Sequence, residues 1–328
     1  MRRGPALALG ALIALGGLAP AEPVLAQAPP AAAPTTATLP FVLRPLGGGV
    51  YAAIDGPQGR SGSNAGFVIG DDGVAVIDSF FNPEAARALL GEIRRLTPLP
   101  IRYVVNTHYH IDHTGGDAVF REAGAVIIAH RNVRGWIRTE NIHLFGDRIT
   151  PALKAQVEGL AQPDLVTDKD LTLWLGARRV DVRMERGHTG GDLVVSIPDA
   201  RVLFCGDLLW RRFAPNIIDG TVPLWIATDK AFAHLPDAAQ MQFVPGHGDV
   251  ANAQDVSDFA GYLTDLTALV RAEKGRGLKD KALADAVMPK LKAKYPDWTA
   301  VDRGGPREIG FMEAELNGKK RVPVPVKD

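Results

Sequence analysis

Thr107-His108-Tyr109-His110-Ile111-Asp112-His113-Thr114-Gly115-Gly116-Asp117 places three imidazoles and a carboxylate within six residues. The stretch directly follows an apolar run, Ile101 to Val105, that reads as a buried strand. Residues two apart in an extended segment face the same way, so His108 and His110 can bring both rings to one point at the strand's end. Asp112 and His113 fall where the chain turns and face another direction. One histidine in a turn would read as a surface residue. H-x-H-x-D-H behind a strand reads as a metal site, because imidazole and carboxylate are standard zinc ligands.

Working outward, the later chain repeats one device, an apolar run that ends in glycine and a metal-capable side chain. Val182 to Gly187 leads to His188, Val202 to Gly206 leads to Asp207, and Phe243 to Gly246 leads to His247. Glycine permits the tight backbone that turns a side chain inward from a strand end. Strand ends that each deliver His or Asp suggest one shared rim on a rigid scaffold. Of the 8 histidines, His108, His110, His113, His188 and His247 occupy such positions. Asp112 and Asp207 bring the set to seven ligands, the number that two tetrahedral zinc sites with open or shared positions require. His130, His143 and His234 lack this context, although His143 is a weak candidate to touch substrate.

The surrounding pattern predicts an α/β protein. Short β-branched or aromatic segments at 41–46, 50–54, 65–69 and 74–77 are separated by Gly47-Gly48-Gly49, Gly56-Pro57 and Asp71-Asp72-Gly73, a meander of antiparallel strands. Asn82-Pro83 opens a helix whose apolar residues recur at helical spacing. A short helix over 116–122 and a strand over 125–129 follow the histidine stretch. Residues 131–163 read as a helix plus a mobile loop over the site. Strand signals return at 171–175, 180–184, 193–197, 202–205 and 241–244. A loop over 211–223 leads to a helix near Trp225, and helical patterns cover the chain from 254, 278–294 and 306–316. The expected architecture is a four-layer αββα sandwich, two mixed sheets with helices outside, in a single domain at 41–328 that includes C-terminal helices over 251–328.

Arg2-Arg3, the apolar run Ala6 to Ala19 and the small residues Ala26-Gln27-Ala28 read as a signal peptide over 1–28, and 29–40 as a flexible lead-in. The apolar run is short for a bilayer span, so the chain is expected to be periplasmic, with no stable membrane insertion after cleavage. Export by the general or the twin-arginine route stays open. Lys+Arg and Asp+Glu are both 37, which argues against a nucleic-acid partner and leaves a small-molecule substrate. The lone Cys205 excludes an internal disulfide and reads as a small buried residue.

His108-x-His110-x-Asp112-His113, Gly187-His188-Thr189, Gly206-Asp207 and Gly246-His247-Gly248 together resemble the metallo-β-lactamase superfamily over roughly residues 40–260. The segment from Gly187 to Gly248, including Gly190-Gly191-Asp192, Asp207-Leu208-Leu209-Trp210 and Asp219-Gly220, is most similar to its exported quinoprotein relay system zinc metallohydrolase branch. The resemblance implies one zinc on His108, His110 and His188, a second on Asp112, His113 and His247, and Asp207 between them. Class B β-lactamases of the best-known subclass carry Cys where Asp207 stands. Asp207 is the pattern of glyoxalase II and lactonase-like relatives.

Two zinc ions per chain would lower the pKa of a bound water towards about 7 and supply a hydroxide for attack on an ester, thioester, lactone or amide carbonyl. Asp112 would orient the nucleophile or shuttle its proton. Asp78, closing the strand at 74–77, either fixes a ligand imidazole or serves the turn. Arg211 and Arg212 could meet a substrate carboxylate or stand solvated on a loop. Trp136, Phe145, Trp210 and Trp225 either wall the pocket or pack the core. Two other functions compete on the same fold: a persulfide (sulfur) dioxygenase with one iron, and a zinc-binding accessory protein of a periplasmic redox pathway without turnover.

Overall fold

Alternate residues of the N-terminal strands face two different apolar layers, and this double patterning generates the architecture. The computed structural model describes Met1 and residues 38–326. The expected signal peptide and most of the lead-in lie outside the described residues. Strands β1 (Phe41–Gly47), β2 (Val50–Asp55), β3 (Ala65–Ile69), β4 (Val74–Ile77), β5 (Ile101–Val105), β6 (Val126–His130) and β7 (Leu165–Thr167) form one sheet in that spatial order. The first four are antiparallel, and β4 to β7 are parallel. Strands β8 (Leu171–Leu175), β9 (Arg178–Glu185), β10 (Asp192–Ile197), β11 (Val202–Trp210) and β12 (Gln242–His247) form a second sheet of order β12-β11-β10-β9-β8. Only its β11–β12 pair is parallel.

Val68, Ala75, Ile77, Val105 and Ile128 of the first sheet meet Val182, Val195, Phe204 and Val244 of the second in one apolar layer. Their sequence neighbours Phe67, Val76, Val104 and Ile127 point the other way. They pack on Leu89 and Ile93 of α1 (Pro83–Leu96), with Phe120 beside them. The outer face of the second sheet packs on α6 (Val222–Ala233), α7 (Ala253–Gly275), α8 (Asp280–Lys294) and α9 (Val301–Leu316), through Trp225, Phe259, Leu291 and Met312. Burial on both faces makes each sheet a near-continuous hydrophobic run, worth about 1.5–3 kcal/mol per fully buried large aliphatic side chain. The result is the αββα sandwich expected from the sequence.

Local chemistry sets the element ends. Asn82 accepts a hydrogen bond from the Ala85 amide at 2.9 Å to cap α1, Pro83 supplies its first turn, and Arg94 and Arg95 occupy the last. The remaining helices are α2 (Ile111–Thr114), α3 (Asp117–Glu122), α4 (Arg131–Phe145) and α5 (Pro151–Glu158). Residues 131–163 are therefore two helices joined by a 3-10 turn at Gly146–Arg148, where the sequence suggested a helix and a mobile loop. Their own apolar cluster, with Trp136, Ile137, Val157 and Leu160 around Tyr109, holds them down. Helix α9 begins five residues earlier than its sequence pattern. Pro306, which the sequence pattern sets at the helix start, therefore stands inside it.

Candidate metal centre

The chain between β5 and α3 carries four of the seven candidate ligands. His108 lies in the connection, His110 immediately precedes α2, and Asp112 and His113 lie within it. The α4 side chain of Asn141 fixes this turn: Oδ1 accepts from the Ile111 amide at 2.9 Å, and Nδ2 donates to the Tyr109 carbonyl at 2.8 Å. His188 sits between β9 and β10. Its amide and that of Thr189 donate to the buried Asp192 carboxylate at 2.9–3.0 Å. His247 ends β12. Asn64 locks its loop by donating to the carbonyls of Pro245 and Gly248, both at 2.8 Å.

Asp207 is not at a strand end. It lies inside β11, where the pairing with β12 shifts around Gly206. Gly206 has φ of +52°, and a Cβ there would stand 2.4 Å from the Thr107 hydroxyl. Only glycine allows the backbone this close approach, which swings Asp207 into the site.

These elements bring all seven residues together in two groups, His108, His110, His188 and Asp207, then Asp112, His113 and His247. In the first, His110 Nδ1 lies 3.0 Å from both His108 Nε2 and His188 Nε2. Asp207 Oδ2 lies 3.3 Å from His188 Nε2 and 3.7 Å from His108 Nε2. In the second, His247 Nε2 lies 3.3 Å from Asp112 Oδ2, and His113 Nε2 lies 3.7 Å from it. Asp207 Oδ1 approaches His113 Nε2 at 3.0 Å and His247 Nε2 at 3.4 Å. One carboxylate therefore turns one oxygen to each group. Ligands at about 2.05 Å around a tetrahedral zinc stand about 3.3 Å apart, so this donor set fits a metal in each group. Buried His113 Nε2, His247 Nε2 and Asp207 Oδ1 have no hydrogen-bond partner. Buried polar atoms without partners are costly, and a cation among them removes that cost.

Electrostatics agree. Burial drives His188 down to about 3 and His108 well below the usual imidazole range, keeping both neutral and able to ligate. Burial also opposes charge on His113 and His247, but Asp207 and nearby carboxylates outweigh it, raising His247 to about 9 and His113 well above its ordinary value. Burial works against the Asp207 carboxylate in turn, while His247, His113 and His188 hold it well below the usual range. The second group thus concentrates negative charge that calls for protons or a metal.

Asp78 lies directly behind His113. Its Oδ2 meets His113 Nδ1 at 2.8 Å, and it also accepts from the Thr107 amide at 2.7 Å and the Thr107 hydroxyl at 2.8 Å. That fixes the ring with Nε2 facing the site. Asp219 stands farther behind His110, with Oδ2 3.6 Å from Nε2, beyond hydrogen-bond reach, and accepts a hydrogen bond from the Tyr109 hydroxyl. Asn64, Asn141 and Asp219 were not singled out from sequence as site residues. Asp219-Gly220 entered only as part of a resembling segment, and a lone Asn carries no local signal of what it ties together.

A cavity of about 350 Å³ opens over the cluster, lined by His110, Asp112 and Asp207 on one side and by Phe81, Phe145, Trp210, Arg148 and Arg307 among others. Trp210 stacks on His247 at 4.0 Å between ring centroids. Trp136 and Trp225 are buried and pack against Tyr109 and His188 rather than lining the cavity. Arg211 pairs with Asp255 at 3.1 Å, and neither it nor Arg212 lines the cavity. His143 is exposed on α4 and also stands outside the lining, one residue before Leu144, which is part of it. Cys205 is buried, and burial raises its thiol well above the ordinary value.

Residues 58–269 match the metallo-beta-lactamase superfamily, well over half of the chain. The chain belongs to that superfamily. Among curated relatives, it is 27% identical to the probable metallo-hydrolase YqgX of Bacillus subtilis over 62% of this chain and 94% of that protein. It is 26% identical to the hydroxyacylglutathione hydrolase of Hyphomonas neptunium over 78% of this chain and 93% of that one. Solved metallo-β-lactamases share the fold. FIM-1 from Pseudomonas aeruginosa, described in its mono-zinc form, superposes with a TM-score of 0.54 at 20% identity over 69% of this chain and 95% of its own. A metallo-β-lactamase from Pontibacter korlensis gives 0.53 at 21% identity over 68% and 99%. The superfamily member described here is a metal-dependent hydrolase with a buried His/Asp metal-binding cluster.

Proposed function

We propose that this chain is an exported hydrolase that holds two zinc ions and cleaves an ester, thioester, lactone or amide bond of a small molecule. One observation carries the reading: Asp207 turns one oxygen to each of two imidazole groups. His108, His110 and His188 would hold one ion, Asp112, His113 and His247 the other, with Asp207 shared. Zinc bound there supplies an acidified water as nucleophile near neutral pH and an electrophile for the carbonyl oxygen.

The chain's own residues do the remaining work. Asp112 is the ligand-group carboxylate most open to the cavity, about 25% exposed, so the oxygen it does not give to the ion can orient the attacking water and pass its proton to the leaving group. Asp78 keeps the ring of His113 aimed inward, and Asp219 sets a negative charge behind that of His110. Phe81, Phe145 and Trp210 give the cavity apolar walls that exclude bulk water from the reacting carbonyl. Two of the relatives' features support acyl chemistry: the hydroxyacylglutathione hydrolase name and the shared superfamily. Export rests on the sequence pattern of the first 28 residues.

The test is turnover of an ester, thioester, lactone and β-lactam panel by the zinc-loaded protein beside its His188→Ala variant. Hydrolysis by the parent, lost with metal in the variant, upholds the proposal. Full rate and full metal content in His188→Ala sink it. Oxygen consumption with a persulfide, on one iron per chain, would replace it by the dioxygenase, and metal binding without turnover would replace it by the accessory protein.

A further inference from the structure

The cavity carries positive charge that neither the fold nor the metal cluster uses. Arg148 ends the turn after α4, and Arg307 lies on α9, yet both line the cavity above His110, Asp112 and Asp207. Each guanidinium reaches the same carbonyl, that of Leu144, at 3.4 Å. Arg307 also lies over the Phe311 ring at 5.2 Å, which sets its direction. Among the described residues neither guanidinium forms an ion pair. Asp219, the carboxylate that acts on Arg307, accepts instead from the Tyr109 hydroxyl. Desolvation and the charge of Arg148 lower the pKa of Arg307, while the more distant Asp219 carboxylate opposes them without pairing with it.

A folded chain gains nothing in stability from this pairing, because like charges repel and a single carbonyl cannot satisfy two planar forks. Apart from the pair, the cluster and Asn216, the lining is apolar, with Phe81, Ile111, Leu144, Phe145 and Trp210. The cavity therefore joins exposed cations, apolar walls and buried metal-binding side chains.

We propose that Arg148 and Arg307 clamp a carboxylate at the far end of the substrate, so that the chain selects anionic acyl compounds whose scissile carbonyl is separated from that carboxylate by an apolar segment. Guanidinium forks bind carboxylates in a bidentate manner, which fixes distance as well as charge. Arg307 stands beyond the superfamily match at 58–269, so this selection belongs to the C-terminal helices of this chain. The proposal rests on the hydrolase reading above.

The test uses the zinc-loaded full chain and matched nitrophenyl esters: the monoester of glutaric acid, with its free carboxylate, and its neutral primary-amide counterpart. The parent is expected to favour the anionic ester at least tenfold in kcat/KM, chiefly through KM. Arg148→Gln and Arg307→Gln should each reduce that preference, and the double variant should abolish it with neutral-ester kinetics within twofold of the parent. Arg307→Lys should restore part of it. An unchanged anionic-to-neutral ratio in a folded double variant refutes the clamp. If the parent hydrolyses neither ester, the hydrolase reading is the one in difficulty, and calorimetric binding of glutarate decides the clamp separately. Tighter binding to the parent than to the double variant upholds it, and equal binding overturns it.

Discussion

Gly246→Ala tests the geometry of the shared carboxylate with a single methyl group. A Cβ at this position would lie 1.8 Å from Asp207 Oδ1 and 3.0 Å from the Asp207 amide nitrogen. Ordinary contact begins near 3.4 Å, so the oxygen must retreat by about 1.6 Å. Metal–oxygen bonds tolerate deviations of only about 0.2 Å, and the retreating oxygen is the one that faces His113 and His247. Asp207 then cannot serve both groups. Overpacking of this kind costs roughly 1–3 kcal/mol, which leaves most domains folded. Misplacing a reacting constellation by about 1 Å costs on the order of 100-fold in rate. The expected variant is folded, keeps the ion of the first group, loses most of the second, and is at least about 100-fold slower. Metal analysis after dialysis, ester hydrolysis and thermal unfolding read these three quantities. Gly91→Ala on α1, where a Cβ meets nothing within 4 Å, is the control and should be neutral or stabilising by about 0.5–1 kcal/mol. Two retained metal equivalents and an unchanged rate in Gly246→Ala would refute the bridging role of Asp207.

Asp78→Asn removes the charge behind His113 while keeping its shape, and should weaken metal binding about 10- to 100-fold in a chelator competition assay. Asn64→Ala frees the loop that carries His247 by deleting the hydrogen bonds to Pro245 and Gly248, together with the one accepted from the Asp55 amide, and should cost about 1–3 kcal/mol in denaturant unfolding together with part of the second metal equivalent. Glu308 on α9 is buried, accepts from the Tyr262 hydroxyl at 2.7 Å, and has its pKa pushed up to about 8 by burial. Its folded state therefore holds a proton that the unfolded chain gives up near 4.5. The stability it contributes is fully present below that value and is lost as pH rises towards 8, by an amount on the order of 3–5 kcal/mol. Glu308→Gln should flatten this fall, so unfolding of parent and variant at pH 5 and pH 8 should differ in slope; parallel curves would contradict the assignment.

The fold was largely legible because its signals are local. The strands at 65–69 and 74–77 alternate between two apolar layers, and the α1 cap lies in the Asn82-Pro83 dipeptide. The ligand set was legible for the same reason, since each ligand follows a glycine or clusters in one six-residue stretch. What escaped was assembled from distant segments. Arg148 and Arg307 meet at one carbonyl only after α9 folds across the cavity, so no spacing announces them. Arg211 looked available because it follows Asp207, but Asp255 at the start of α7 takes its charge. Strand β7 is three residues long and largely exposed, below what hydrophobic patterning detects. The pattern in β11 seemed to stop at Cys205 because Gly206 and Asp207 interrupt it, although the strand runs on to Trp210.

The measurement that bears most directly on this account is the metal content of the purified chain, grown with zinc and iron both available. The account predicts two zinc ions per chain, with one lost on Asp207→Ala or Gly246→Ala. A single iron, or a folded chain without stoichiometric metal, would contradict it.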